Sequence, residues 1–132
     1  MFGRELWLRQ KGSTQLAIAL GLFIVATMLF GWTLRASRSA RLKLIFDPDS
    51  PQYILRAGPY RYVRHPFYAS YILFWLGCAV ATIHPVNIAY VLALVPLLIL
   101  AAREEEKGFD RSPHAADYAA YRRSAGLFWP RL

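Results

Sequence analysis

Three apolar stretches constrain this fold more than any other feature of the chain. They run from Gln15 to Leu34, from Tyr68 to Ile83 and from Val86 to Ala102, and none contains a charged residue. A transmembrane helix needs about 20 apolar residues, so the first stretch can span a bilayer and the other two are short. We predict an all-α fold, an integral membrane helical bundle with three transmembrane helices. The alternative for the two short stretches is a pair of buried core helices in a soluble protein.

The distribution of positive charge predicts how such a bundle is oriented. The chain of 132 residues carries 16 Lys and Arg and has a formal net charge of +8. About thirteen of these cations lie between the first two apolar stretches or after the third, and cytoplasmic loops are the ones enriched in Lys and Arg. We therefore expect the N-terminus outside, and the central loop and the C-terminal tail, residues 103–132, in the cytoplasm.

Basic charge of this kind also occurs in nucleic-acid-binding domains. Here the arginines flank apolar helices, and no nucleic-acid-binding motif accompanies them in the sequence. We expect the head groups of the lipid bilayer or an anionic ligand as the partner of these arginines, and no nucleic acid. The single Cys78 lies in an apolar stretch, so we expect neither a disulfide framework nor a thiolate metal site.

The sequence "IHPVN", between the second and third stretches, predicts a helical hairpin. Pro85 disfavours a helix at His84 and is suited to the first position of the next helix. His65 and Glu105 each lie about twenty residues from Pro85, and a helix rises about 1.5 Å per residue. We therefore expect the hairpin to return both side chains to the same membrane face.

The segment "GPYRYVRHPFY" places Arg61, Arg64 and His65 just before the second apolar stretch. Pro66 can begin a helix whose free backbone N–H groups point at an anion, and Gly58 permits a close backbone approach. The alternative is that these arginines reach lipid phosphates at a helix end, as arginines commonly do.

The segment "AREEEKGF" places Glu104, Glu105 and Glu106 at the end of the third helix. Adjacent glutamates repel one another and oppose the helix dipole, so a purely structural helix gains nothing from them. Because successive helical residues differ by about 100°, at least one glutamate must face the hairpin partner. The alternative is a solvated helix end whose glutamates pair with Arg61 or Arg64.

The remaining segments predict a turn and a short helix. Residues 47–51, "DPDSP", have the composition of a turn. Further on, Ser112 can cap a helix that begins at Pro113 and stops at Gly126. On that helix, three- and four-residue spacing puts three side chains on one face, namely Tyr118, Tyr121 and Arg122.

One face of the membrane would then hold cations, a histidine, carboxylates and tyrosines beside apolar helices. Cations complement an α-carboxylate, a glutamate complements an α-ammonium, and aromatic faces bind a sulfonium or an adenine ring. S-adenosylmethionine carries all of these groups. The sequence therefore indicates a site for this cofactor.

These motifs together resemble the isoprenylcysteine carboxyl methyltransferase family, which groups with membrane phospholipid methyltransferases that use S-adenosylmethionine. The resemblance rests on "GPYRYVRHPFY", an apolar hairpin, "REEE", "YAAYRR" and "WP", and it runs from about Gly31 to the C-terminus. It implies one methyltransferase-like domain over residues 1–132, a cytosolic cofactor pocket, and a lipophilic small molecule or a lipidated substrate as acceptor.

The resemblance also implies the residues of the site, without a metal. The cofactor-binding residues are Arg64, His65, Pro66, Tyr68, Glu105, Glu106, Tyr118 and Tyr121. The catalytic residues are His65, Glu106 and Arg122.

Two departures from the family pattern affect these assignments. The sequence "GFDRSPHAADY" replaces the usual L-x-x-x-F-G-x-x-Y spacing, so the register of the tail against the glutamates stays open and Glu104 remains an alternative member of the pair. Family members commonly have more N-terminal helices. This implies a reduced lipid cavity here, or one completed by another subunit, such as a second copy in a homo-oligomer.

Methyl transfer is an in-line displacement at a sulfonium carbon, so the protein mainly aligns the reactants. We expect a lipophilic carboxylate acceptor, which needs no base. A phospholipid amine is the alternative, and it would lose a proton to Glu106 or His65. Two further alternatives are a sterol-reductase-like enzyme that uses NADPH and a non-catalytic membrane adaptor that binds anionic lipid.

Overall fold

The computed structural model describes residues 2–46 and 54–131, and throughout this part of the chain the regular elements are helices. The predicted turn at residues 47–51 lies outside the described residues. A short 3₁₀ helix covers Gly58–Arg61. The α-helices are α1 (Phe2–Phe46), α2 (Pro66–Thr82), α3 (Pro85–Asp110) and α4 (Ala115–Ser124). The all-α prediction is therefore confirmed for the described residues.

The helix lengths only partly match the three predicted spans. By length and composition, two helices can cross a membrane, in residues Gly3–Arg41 and Pro85–Asp110. The apolar α2 has 17 residues, so the third transmembrane helix stays a prediction. By contrast, α1 has 45 residues, far more than the predicted span of 15–34. The helix continues because Ala, Arg, Leu and Lys, which are good helix formers, follow Leu34.

Helices α1 and α2 pack antiparallel along the whole of α2. The register is set by three contacts spaced along the interface: Phe30 with Phe67, Phe23 with Phe74, and Gln15 with the backbone of Val80 and Ala81. The two ring pairs have centroids 5.4 and 5.3 Å apart. Gly77 makes room for one of these rings, since a Cβ atom there would lie 2.7 Å from Cε1 of Phe23.

Helices α2 and α3 form the predicted hairpin. The chain turns at Ile83, whose φ of 46° is left-handed, and α3 begins at Pro85. His84 is the N-cap residue of α3, because its Nδ1 accepts the N–H of Val86 at 3.3 Å. Trp75 packs on Tyr90 with ring centroids 4.4 Å apart. The hairpin therefore brings the start of α2 and the end of α3 to the same end of the bundle.

That end, residues 54–68 and 103–131, is called the polar end below. Since α3 continues to Asp110, the glutamates lie inside the helix and not at its end. The predicted cap at Ser112 is wrong, as is the predicted start at Pro113: α4 begins at Ala115. The Ser112 hydroxyl instead closes the turn after α3, where it accepts the N–H of His114 and donates to the carbonyl of Phe109.

Candidate functional site

A cavity of about 310 Å³ opens at the polar end, between the start of α2, the end of α3 and α4. Most of the side chains that the sequence assigns to a cofactor line it, namely Arg64, His65, Pro66, Tyr68, Glu105, Tyr118 and Tyr121. Glu106, which is also assigned to the cofactor, and Arg122, which is assigned a catalytic role, are not among the lining residues. The hairpin and α4 thus bring the separate sequence motifs into one place.

Glu106 lies behind the cavity wall, where its side chain is 7% exposed. Its Oε1 atom accepts three donors: Arg64 Nε at 2.6 Å, Tyr118 Oη at 3.0 Å and His65 Nε2 at 3.2 Å. A carboxylate oxygen only accepts, so the Nε2 atom of His65 carries the proton in this contact. One buried carboxylate therefore connects α2, α3 and α4.

The surroundings of Glu106 stabilise its charged form. Burial alone would raise its pKa, but hydrogen bonds from Arg64 and Tyr118, together with the charge of Arg64, lower the pKa below the ordinary value. Burial first, and then the charge of Glu106, raise the pKa of Tyr118. Glu106 is thus an ionised acceptor at neutral pH, and Tyr118 is a neutral donor.

Arg64 joins the start of α2 to the end of α4. Its Nη1 atom donates to the carbonyls of Ala125 at 2.6 Å and Arg122 at 3.2 Å. Arg131 donates to the carbonyls of Arg122 and Arg123 at 3.0 and 3.1 Å. The last carbonyls of a helix lack partners within it and carry its negative dipole end, so two guanidinium groups fix α4 in place.

The C-terminal tail pairs with the segment before α2 through backbone hydrogen bonds. Arg64 N–H donates to the carbonyl of Gly126 at 2.8 Å, His65 N–H donates to Leu127 at 3.1 Å, and Gly126 N–H donates to Tyr62 at 3.0 Å. Only glycine fits at position 126, because a Cβ atom would lie 1.7 Å from the carbonyl oxygen of Trp129. The absence of a side chain at Gly126 leaves room for the tail to fold back at this point.

The three adjacent glutamates have three different environments. Glu105 lines the cavity with a side chain that is 56% exposed, and it accepts the hydroxyl of Tyr68. Its Oε2 atom lies 3.6 Å from Nδ1 of His65, which is too long for a hydrogen bond. Glu104 points elsewhere and pairs with Lys107 at 2.5 Å. Of the three glutamates, Glu105 therefore lines the cavity, Glu106 lies behind its wall, and Glu104 does neither.

Aromatic side chains form much of the remaining wall. Phe109 stacks on Tyr118 with centroids 4.5 Å apart, and the Tyr121 hydroxyl donates to the carbonyl of Tyr60 at 2.5 Å. Burial raises the pKa of Tyr121 to about 12, so the phenol stays neutral. The sequence did not assign Tyr60 or Phe109 to the site. The sequence does contain a pattern that could have identified them, since Tyr60 lies in the motif before α2 and Phe109 follows Glu105 by one helical turn.

Arg122 lies on the outer side of this wall. Its guanidinium group stacks over the ring of Tyr118 at 5.3 Å, and Nη2 lies 3.3 Å from Asp110 and 3.5 Å from Oε2 of Glu106. The predicted shared face of α4 is therefore present, with Tyr118 and Tyr121 buried beside Arg122. Arg122 therefore contacts Tyr118, Asp110 and Glu106, and it does not line the cavity.

Comparison with known proteins agrees with these motifs. The model of the isoprenylcysteine carboxyl methyltransferase (ICMT) family matches residues 18–110. The segment before α2 and the glutamates of α3 fall inside the match, while α4 lies outside it. Comparisons with curated proteins and with solved structures give no match. This match covers more than half of the residues of the chain. The chain therefore belongs to the isoprenylcysteine carboxyl methyltransferase family.

Proposed function

We propose that this protein transfers the methyl group of S-adenosylmethionine to a lipophilic acceptor at the polar end of the bundle. Membership of the family implies methyltransferase activity. The observation that carries the proposal is the cavity of about 310 Å³, which sets the carboxylate of Glu105 and the ring of His65 among aromatic faces. We further propose that α2 is the third transmembrane helix and that the polar end faces the cytoplasm.

The side chains of the cavity fit the charged groups of this cofactor. The Glu105 carboxylate complements an α-ammonium group, and the guanidinium group of Arg64, which lines the cavity, can donate to an α-carboxylate through Nη2. The rings of Tyr68 and Phe109 offer faces to a sulfonium or an adenine ring. The cavity thus supplies a partner for each end of a zwitterion.

We propose a positioning role for Glu106 in place of the catalytic and cofactor-binding roles that the sequence suggests. Its side chain is 7% exposed, its Oε1 atom already accepts three donors, and its Oε2 atom lies 3.5 Å from the Arg122 guanidinium group, which favours a role in holding its neighbours over direct contact with a cofactor. Its effect on the reaction then passes through Arg64, His65 and Tyr118, which it holds against the cavity. Arg122 has a similar supporting role, through its contacts with Tyr118 and Glu106.

When bound, S-adenosylmethionine supplies an electrophilic methyl carbon, and the carbon–sulfur bond breaks with its electron pair left on sulfur as the acceptor atom bonds to the carbon. The protein's task is to align the acceptor and exclude water. A carboxylate acceptor becomes a methyl ester with no proton transfer, so we propose this acceptor first. An amine acceptor must lose a proton, and His65, which lines the cavity and whose Nδ1 atom is the ring nitrogen not bonded to Glu106, would take it.

Cofactor binding to the purified protein in nanodiscs tests the proposal by calorimetry. Glu105→Gln should weaken binding of S-adenosylmethionine by about tenfold, or about 1.4 kcal/mol, because the α-ammonium group of the cofactor would be left in the cavity without its carboxylate partner. Glu104→Gln is the matched control and should change binding little, since Glu104 lies outside the cavity and pairs with Lys107. Equal losses from both variants would contradict the assignment of Glu105.

Parallel titrations address the alternatives of other classes. NADPH binding in place of S-adenosylmethionine would favour a reductase, and binding only to anionic liposomes would favour a membrane adaptor. Transfer of a labelled methyl group to a prenylcysteine or to phosphatidylethanolamine then identifies the acceptor atom. A wild-type protein that binds no S-adenosylmethionine would overturn the proposal.

A further inference from the structure

The last turns of α1 carry a row of three arginines, called the basic ridge below and formed by Arg35, Arg38 and Arg41. All three side chains are exposed. Each helical residue turns by about 100°, so these positions lie within about 120° of the helix circumference. The four residues between them all have small side chains, namely Ala36, Ser37, Ser39 and Ala40. The three guanidinium groups therefore have no bulky neighbours between them along this part of α1.

The basic ridge faces away from the rest of the protein. On the packed side of α1, Ala36 is 9% exposed and contacts Gly58, where an added Cβ atom would lie 3.1 Å from that of Ala36. Arg38 lies about 200° beyond Ala36, and therefore on the opposite side of the helix. Among the described residues, the ridge side chains take part in no hydrogen bond or ion pair, whereas Arg64 and Arg122 at the polar end do. The ridge is thus separate from the network around Glu106.

The charge of the ridge is not neutralised along α1. The one carboxylate in the sequence of this helix is that of Glu5, about 45 Å from Arg35 at 1.5 Å per residue. Asp47 and Asp49 follow the helix in the sequence, but residues 35–49 also hold four Lys or Arg, so this segment is positive overall. A row of guanidinium groups complements an anion with several oxygen atoms, such as a phosphate.

The position of the ridge along α1 indicates the source of such a phosphate. Leu34 ends the uncharged stretch that can span a bilayer, and the three arginines lie one, four and seven residues beyond it. They therefore rise at most about 1.5, 6 and 10 Å above the hydrocarbon. Each head-group layer of a bilayer is about 5–8 Å thick. The ridge thus crosses the layer that contains the phosphates of the membrane lipids.

We propose that the basic ridge binds the head groups of anionic phospholipids in the leaflet next to the polar end. This interaction is independent of the proposed methyl transfer, because it involves neither the cofactor cavity nor an acceptor. The packed side of the same turns contacts Gly58, which begins the segment that carries Arg64 and His65. A lipid that binds the ridge of the folded protein therefore stabilises the end of α1 together with the polar end that packs on it.

Native mass spectrometry of the full-length protein in neutral detergent micelles tests the ridge. Dioctanoyl phosphatidylglycerol is the anionic probe, and dioctanoyl phosphatidylcholine is the zwitterionic one. The wild type should bind phosphatidylglycerol the more tightly. The triple variant Arg35→Gln/Arg38→Gln/Arg41→Gln should bind it more weakly by about fivefold for each arginine removed, which corresponds to about 1 kcal/mol per basic residue at an anionic surface. Its binding of phosphatidylcholine should not change.

A second triple variant separates the effect of the ridge from that of net charge. Arg4→Gln/Arg9→Gln/Lys11→Gln removes three positive charges from the other end of α1. These cations do not form a row, since Arg9 lies about 140° around the helix from Arg4, with Glu5 between them. This control should bind phosphatidylglycerol as the wild type does. Equal losses in the two variants would show that net charge attracts the lipid, and would overturn the inference.

Thermal unfolding in the same micelles tests whether lipid on the ridge stabilises the fold. Glutamine is a good helix former, so without added lipid all three proteins should unfold at similar temperatures. Phosphatidylglycerol should raise the unfolding temperature of the wild type and of the control variant, and not that of the ridge variant. Inorganic phosphate at the same concentration should raise none of them. An equal rise with inorganic phosphate or with phosphatidylcholine would overturn the assignment to an anionic lipid.

Discussion

Along the apolar helices the described contacts are mostly between aromatic rings, whereas at the polar end they are mostly hydrogen bonds and ion pairs. In lipid, apolar side chains gain little by leaving the hydrocarbon for one another, so helix association depends on close packing and on polar contacts. A few polar side chains should therefore have a large influence on this fold. From this comparison we expect the most influential side chains to be Glu106 at the polar end and Gln15 at the opposite end.

The largest effect is expected from Glu106, whose removal would leave the buried Arg64 charge without its carboxylate partner. Breaking one partner of a buried pair typically costs about 3–5 kcal/mol, so Glu106→Gln should lower the free energy of unfolding by an amount in that range. Unfolding in mixed micelles measures it, and hydrogen exchange of residues 118–127 reports release of the tail. Glu105→Gln is the control, since that side chain is largely exposed. A similar loss from both variants would show that the two glutamates do not differ as described.

A smaller effect is expected at the other end of the bundle, from Gln15. Its amide donates to the carbonyls of Val80 and Ala81 at 2.7 and 3.1 Å, near the end of α2 where carbonyls lack helical partners. Gln15→Leu should cost about 1–3 kcal/mol, the loss of two hydrogen bonds that each contribute about 0.5–1.5 kcal/mol. The same change at the exposed Gln10 should cost much less, as measured by unfolding in the same micelles. Equal costs would mean that water or lipid head groups satisfy these carbonyls.

The smallest effect is a pH dependence that sharpens the difference between the adjacent glutamates. The pKa of Glu106 is lower in the folded protein than its ordinary value of 4.5. Its contribution to stability is therefore complete above pH 4.5 and is lost as pH falls below that value, with a slope of at most about 1.4 kcal/mol per pH unit. Thermal unfolding between neutral pH and pH 3 should show this loss for the wild type and not for Glu106→Gln. An unchanged slope in the variant would assign the effect to another group.

The hairpin could be predicted from the sequence because its cause is local. Pro85 alone indicates where one helix ends and the next begins, and helix geometry then places His65 and Glu105 together. The end of α3 could not be predicted in the same way. The charged residues after Ala102 mark the limit of the apolar stretch, but helix propensity carries the helix on to Asp110.

The separate roles of the glutamates could not be predicted, because they depend on which side of α3 meets α2. Periodicity shows only that at least one of three adjacent residues faces the partner helix. The position of the C-terminal tail was also hidden from the sequence, since it depends on pairing between the tail and the segment before α2. Such a contact joins residues about sixty positions apart, and no local pattern predicts it.

Glu104 has a consequence for how this chain can change in length. If one residue were inserted early in α3 while the packing around the hairpin turn stayed the same, each later side chain would take the position of its successor, about 100° around the helix. Glu104 would then occupy the place of Glu105 at the cavity, and Glu105 would take the place of Glu106. After a deletion, by contrast, Lys107 would take the buried position of Glu106, so that position would lose its carboxylate. The run of three glutamates thus keeps both carboxylate positions filled after an insertion and not after a deletion.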